Sequence, residues 1–382
     1  MPRIAPNAER MPRSGIRAIM DMAWRLPGPV IGLHVGEPSF ATPPHVRDAA
    51  AEAYAKGRTR YVPNAGVTEL REAIAAKLRE RNGIEGATAE RVIVSAGGMQ
   101  ALQVCFSAIV AAGDEVLVPD PGWPNFAMLV QLLQGVPVRY PLRPEHGFRP
   151  DLDDLAALVT PRTRAIVVNT PSNPLGTVLG ADTVERLVAF AREHDLWLVS
   201  DECYEEITFD GPHVSPARFD TDGRVIGCFS FSKTYAMTGM RVGYLLAPPE
   251  LAGVCAKLQE PLVACVNAPA QYGALAALTG PQEQTAAARD AYRERREAAA
   301  AVLDRAGLPY LRPEGAFYLW ADVSDRCGGD VTGWAVRLLR EEHVAVAPGP
   351  TFGPRGEGWI RLSLATATDD LLEGLERIIR CR

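Results

Sequence analysis

Val225-Ile226-Gly227-Cys228-Phe229-Ser230-Phe231-Ser232-Lys233-Thr234-Tyr235-Ala236-Met237-Thr238-Gly239-Met240-Arg241-Val242-Gly243-Tyr244-Leu245-Leu246 is the stretch on which the reading of this 382-residue chain turns. Two apolar runs, 225–229 and 243–246, flank a turn that carries a lysine and an arginine. Neither run alternates polar with apolar residues, which is the pattern of strands covered on both faces. Five further runs of this kind precede them, at 92–95, 115–119, 136–140, 165–169 and 196–200, and helical patterns at 46–57 and 67–82 lead into the series. Strands alternating with helices predict an α/β fold, with a mostly parallel seven-stranded sheet sandwiched by helices.

Length and composition agree with this reading. A chain of 382 residues implies two to three domains on an average of roughly 150 residues each. Hydrophobic residues are 47% and charged residues 23%, which is ordinary globular usage. The 34 glycines and 31 prolines point to many short elements joined by tight turns. A net charge of −6, with basic and acidic residues intermixed, presents no basic face for phosphate backbones, so nucleic acid is not expected as a partner. The longest apolar candidate for a membrane span, 101–112, is short and contains Gln103 and Ser107. The first fifteen residues carry arginines with no apolar run behind them, so a cytoplasmic location is expected. Seven scattered cysteines without metal-ligand spacing read as reduced, mostly core residues, with no metal site. The segment 353–358 has glycines spaced like a dinucleotide motif but no strand–helix context, and reads as a loop.

Ligands of such sheets sit at the carboxyl ends of the strands. Lys233 follows one strand directly, Asp201 ends another, and Asn173 lies in the turn after a third. Arg241 precedes the last strand, so its side chain returns to the same edge, where Ser230, Ser232 and Tyr204 add hydroxyls. This set meets the needs of pyridoxal 5′-phosphate: a lysine for covalent attachment, a carboxylate to keep the pyridine nitrogen protonated, and donors for phosphate and ring oxygen. The glycine-rich junction Ser95-Ala96-Gly97-Gly98-Met99 opens a helix whose free amides suit a phosphate.

With these residues in place, the chain resembles the fold-type-I pyridoxal-phosphate aminotransferases of the class I/II group, the aspartate aminotransferase superfamily. The resemblance runs from about residue 14 to the C-terminus. It rests on SGIR (14–17), GEPSF (36–40), YVPNAGVTELREAIA (61–75), GDEVLVPDPGWPN (113–125), NTPSNPLGTV (169–178), SDECYEEITFD (200–210), SFSKTYAMTGMRVGY (230–244) and IRLSLA (360–365), in the family's order.

The resemblance implies that Lys233 binds the cofactor covalently and later carries the substrate Cα proton, that Asp201 pairs with the ring nitrogen, and that Asn173 and Tyr204 hold the ring oxygen. It places Trp123 on the ring face. The phosphate falls to the amides of Gly98 and Met99, to Ser230, Ser232 and Arg241, and to Tyr61 reaching across a homodimer into the neighbouring active site. Arg361, aided by the backbone at Gly36, is implied to clamp the substrate α-carboxylate, a role that a bidentate guanidinium suits. A long charged helix at 289–305 and strand-like runs at 317–323 and 360–365 indicate a smaller α+β unit. The implied domains are a large one at 44–280 and a small one from 1–43 and 281–382, including an N-terminal arm. The implied reaction is ping-pong transamination between an L-amino acid and a 2-oxo acid. These motifs are shared by relatives performing elimination, replacement, cyclisation or oxidation, so the fate of the substrate stays open here. An aspartate-specific branch carries lysine where this chain has Met99, and SGIR recurs across specificities, so Arg17 does not replace that lysine. Phe40, Met99 and Trp123 favour a neutral or aromatic substrate side chain.

Overall fold

A computed structural model describes residues 2–381. Its main sheet contains all seven predicted strands: β1 (Val92–Ser95), β2 (Glu115–Asp120), β3 (Val136–Pro141), β4 (Thr163–Asn169), β5 (Trp197–Asp201), β6 (Val225–Ser230) and β7 (Gly243–Leu246). Their order is β1-β7-β6-β5-β4-β2-β3, and every neighbouring pair is parallel except those made by β7.

The missing polar alternation has a direct cause. Successive side chains of a strand point to opposite faces, and here each face has its own core. Val92, Val94, Leu117, Ile166, Val168 and Leu198 pack with helices Thr68–Glu80, Ala181–Glu193 and Ala268–Thr279. Ile93, Val116, Val118, Ala165, Val167 and Val199 pack with helices Gly98–Ile109 and Pro249–Val263 on the other side. The exception is β3, whose first residue, Val136, is 45% exposed. This strand lies at the sheet edge, where Pro137 and Pro141 are tolerated because one row of backbone groups has no neighbour to pair with. The expectation of two-sided burial fails for it.

The C-terminal third forms a second, antiparallel sheet from β8 (Tyr310–Leu311), β9 (Tyr318–Asp322), β10 (Ala347–Pro348) and β11 (Trp359–Ser363), in the order β10-β11-β9-β8. It shares a core with helices Glu283–Ala306, Val331–Glu342 and Thr368–Arg380 and with Leu33 from the N-terminal region. The charged helix begins six residues earlier than its pattern indicated, and 353–358 is a loop with a short turn at Pro354–Gly356. Residues Ile31–Gly32 pair in parallel with Val344–Ala345, which ties the N-terminal region to this second layer. All seven cysteines are unpaired. Among the described residues no helix is long and apolar enough to cross a membrane.

Candidate active site

The register of the main sheet sets the site. Asn169 lies opposite Asp201, and Asp201 opposite Cys228, so β4 and β5 end together and β6 runs two residues further, to Ser230. Lys233 stands on the helical turn Phe231–Thr234 immediately beyond β6, where the Ser230 hydroxyl accepts the Ser232 N–H at 3.2 Å and starts the turn. The Lys233 ammonium donates to the carbonyl of Gly36 at 2.5 Å. A cavity of about 290 Å³ opens over these strand ends.

Asp201 is buried, and its Oδ1 accepts the backbone N–H of Cys203 at 3.2 Å. Burial, with the neighbouring Glu202 adding to it, pushes its pKa up to about 7 against the opposing pull of Lys233. A carboxylate this deep with one backbone donor has unused acceptor capacity, which a cationic N–H can fill.

Arg361 projects from β11 and is 1% exposed. It donates to Asn173 Oδ1 at 2.9 Å and to the His34 carbonyl at 2.5 Å, while its Nε has no partner. Its guanidinium carbon lies 4.3 Å from the Tyr318 ring centre and 5.0 Å from that of Phe352. No carboxylate lies within ion-pair distance of it among the described residues. A buried cation held by neutral acceptors and aromatic faces is a receptor for an anion.

A second anion cradle forms at the start of helix Gly98–Ile109. Gly97, at φ 81°, leads into this helix, and a Cβ there would lie 2.4 Å from Arg241 Nη2. Arg241 is itself in the left-handed region at φ 55°, and donates to the carbonyls of Thr238 at 2.9 Å and Ala96 at 3.2 Å. The strained backbone brings the guanidinium across the helix N-terminus, beside Ser230 and Ser232.

Twelve of the thirteen predicted residues line this one cavity: Gly36, Gly98, Met99, Trp123, Asn173, Asp201, Tyr204, Ser230, Ser232, Lys233, Arg241 and Arg361. Tyr61 does not; it is 88% exposed on the chain's surface. Phe40 also lies outside the cavity, contrary to expectation. It packs edge-on against Tyr292 at 5.3 Å under Arg295, so it does not shape the substrate pocket. Sequence reasoning missed Ile16, Met20, Val35, Leu102, Cys203, Thr238 and Tyr318, which complete the wall. It also missed a buried polar layer next to Asp201. There the Glu202 carboxylate lies 2.6 Å from His213 Nε2 and accepts Ser215 Oγ at 3.0 Å, and Glu205 pairs with Lys77 at 2.5 Å. The acidic run at 202–206 was a visible signal for this layer, but its partners Lys77 and His213 are remote or separated by a loop.

A doubly wound sheet with a lysine, a buried carboxylate and two anion cradles at its carboxyl edge defines a fold-type-I site for pyridoxal 5′-phosphate chemistry. Comparison with known proteins gives the family. Residues 28–378 match the family described as Aminotransferase class I and II. A probable aspartate/prephenate aminotransferase of Aquifex aeolicus is 42% identical over 358 residues, 91% of this chain and 90% of the relative. Aromatic-amino-acid aminotransferase 2 of Thermococcus litoralis is 38% identical over 98% and 97% of the two chains. A solved single mutant of Thermus thermophilus aspartate aminotransferase covers both chains in full at 40% identity with a TM-score of 0.94. The chain belongs to the class I and II aminotransferases, whose reaction is amino-group transfer.

Proposed function

We propose that this chain holds pyridoxal 5′-phosphate in the cavity described above and exchanges an amino group between an L-amino acid with an uncharged side chain and a 2-oxo acid. The observation that carries the reading is the distribution of cations: Lys233, Arg241 and Arg361 are the lysines and arginines lining the cavity, and each has a task. Arg241 with the helix N-terminus suits the cofactor phosphate, Arg361 suits the α-carboxylate, and Lys233 suits the amine chemistry. Ile16, Met20 and Met99 then meet the substrate side chain with no charge to offer a second carboxylate. When bound, the cofactor supplies a carbonyl carbon for the amine and a cationic ring that draws electrons from the substrate's Cα–H bond.

The protein's residues do the rest. Asp201 accepts the ring N–H and keeps that nitrogen protonated, and Tyr204 donates to the ring oxygen. Trp123, now edge-on to Phe126 at 5.5 Å, covers the ring. Arg361 would orient the substrate so that its Cα proton faces Lys233, whose amine would take that proton up and return it across the substrate nitrogen to the cofactor carbon bonded to it. The same reading makes the protein a cytoplasmic homodimer with Tyr61 crossing to the partner's phosphate, built from a large domain at 44–280 and a small one from both chain ends. The exposure of Tyr61 and the seven unpaired cysteines fit it. A screen of amino donors against 2-oxo acids, followed by the change in the visible absorption of the bound cofactor, tests it. Turnover confined to dicarboxylic donors contradicts the proposed side-chain class.

Two expectations follow directly. Met99→Lys places an ammonium in the side-chain half of the cavity and raises kcat/KM for dicarboxylic relative to apolar donors by about 10- to 100-fold, the scale of one charge-assisted contact. An unchanged ratio of the two efficiencies places Met99 away from the side-chain subsite. For Asp201, the pKa of about 7 in the folded chain compares with 3.8 for a free carboxyl. Between these values the folded form holds a proton that the unfolded form has lost. Stability of the cofactor-free protein therefore falls as pH rises from about 4 to about 7 and levels off above. Asp201→Asn removes that slope, gaining on wild type by on the order of a few kcal/mol across the window. Urea midpoints at several pH values measure it, and parallel curves for the two proteins contradict it.

A further inference from the structure

Tyr318, which no motif singled out, touches three groups of the site at once. Its hydroxyl lies 2.7 Å from the Tyr204 hydroxyl, with both side chains buried. Its ring faces the Arg361 guanidinium at 4.3 Å. Its hydroxyl also packs onto the Cα of Gly36, where an added Cβ would lie 2.1 Å from the oxygen, and Gly36 is the residue whose carbonyl takes Lys233. The backbone of Tyr318 is fixed in β9, opposite Ser363 and two residues from the position opposite Arg361.

We propose that Tyr318 is a positioning residue for amino transfer, its ring seating Arg361 and its hydroxyl donating to Tyr204 so that the Tyr204 proton points into the cavity. The inference rests on the reading that Tyr204 serves the cofactor's ring oxygen and Arg361 the α-carboxylate. A hydroxyl pair can be polarised either way, and here the surroundings choose. The Arg361 charge over the Tyr318 face draws electron density from that phenol and favours it as the donor. Burial pushes the Tyr204 pKa well above its ordinary value, so this hydroxyl keeps its proton. Having accepted one hydrogen bond, Tyr204 has its own proton free for an acceptor in the cavity, and the first bond strengthens the second. The other titratable or charged groups facing the pair are Arg361 from β11, Cys203 from the turn after β5, and Tyr292 from helix Glu283–Ala306. The Tyr204 hydroxyl is hydrogen-bonded by none of these three.

One side chain thereby sets two distances, that of the carboxylate clamp and that of the ring-oxygen donor. Gly36 is required at the same point, since any side chain there displaces the Tyr318 hydroxyl.

Tyr318→Phe removes one oxygen and keeps the ring, and Tyr318→Leu removes both, which separates the two roles. The readout is the pH midpoint of the visible-band transition of the cofactor-loaded protein, together with KM for the amino donor. A donor to the ring oxygen favours its anion, so weakening the Tyr204 bond moves the midpoint upward. In Tyr318→Phe the midpoint rises by about half to one pH unit while KM stays within about twofold. In Tyr318→Leu the midpoint rises similarly and KM rises about tenfold or more as Arg361 loses its seat. A Phe variant with the wild-type midpoint overturns the proposal, and this variant is sufficient for the test if the Leu protein does not fold. Tyr204→Phe serves as the reference. If it shifts the midpoint and Tyr318→Phe does not, the relay alone is wrong; if neither does, the assignment of Tyr204 to the ring oxygen is wrong and the relay falls with it.

Discussion

Lys233→Ala is expected to lose at least about 10⁴-fold in turnover and to accept no covalent label when the cofactor-loaded protein is reduced with borohydride. Lys233 is the one lysine lining the cavity among the described residues, so no neighbour can take over attachment or proton transfer. Its anchor, the Gly36 carbonyl, is a backbone atom and stays in place when the side chain is cut. The anion cradle at Arg241 and the Asp201 carboxyl are likewise untouched, so the variant should still bind the cofactor without a covalent bond. Intact mass after reduction separates the two cases: wild type gains the cofactor's mass and the variant does not. A variant that retains a few per cent of activity, or that is labelled, removes Lys233 from the central role.

The second large effect concerns Arg361, where function and stability are expected to move in opposite directions. Arg361→Leu should raise KM for both the amino acid and the 2-oxo acid by about 10²- to 10³-fold, the range for deleting one partner of a buried charge pair. The ligand-free protein should melt within a few degrees of wild type or above it. The reason lies in the partners of Arg361: two neutral oxygens, two aromatic faces and no carboxylate. Burying a guanidinium in such company costs folding free energy that the ligand's carboxylate recovers on binding. Calorimetric melting with and without a dicarboxylate or monocarboxylate inhibitor reads both effects. A strongly destabilised variant with normal KM would show that Arg361 is a scaffold residue.

Much of this was legible in the sequence, because the chemistry sits on strand ends and strands with a core on each face announce themselves as unbroken apolar runs. Lys233, Asp201 and Asn173 each follow such a run at short range, so their convergence could be read once the sheet was recognised. The failures share a different cause. Val136 belongs to an apolar run at the sheet edge, where Pro137 was a local sign of that position, blunted by Pro119 in the interior strand β2. Phe40 stands four residues from Gly36, yet the chain turns away and its ring meets Tyr292, more than 250 residues on. Tyr318 and Met20 reach the cavity through packing between distant elements, which leaves no mark on their own neighbours in the sequence. Tyr61 is solvent-exposed within one chain, and the role proposed for it rests on a second copy.

The short segment Leu33–Gly36 gives the carbonyls of Leu33, His34 and Gly36 to the Ser363 amide, to Arg361 and to Lys233 respectively. On the proposed reading it acts as a gauge. It fixes the separation between the point that receives a substrate's nitrogen and the point that receives its carboxylate, and this separation is common to every α-amino acid. The side-chain end of the cavity has no such fixed rule, being walled by Ile16, Met20 and Met99, two of them flexible thioethers. A ping-pong enzyme must admit two different substrates in turn through one opening, and this division lets it insist on the half they share while tolerating the half in which they differ.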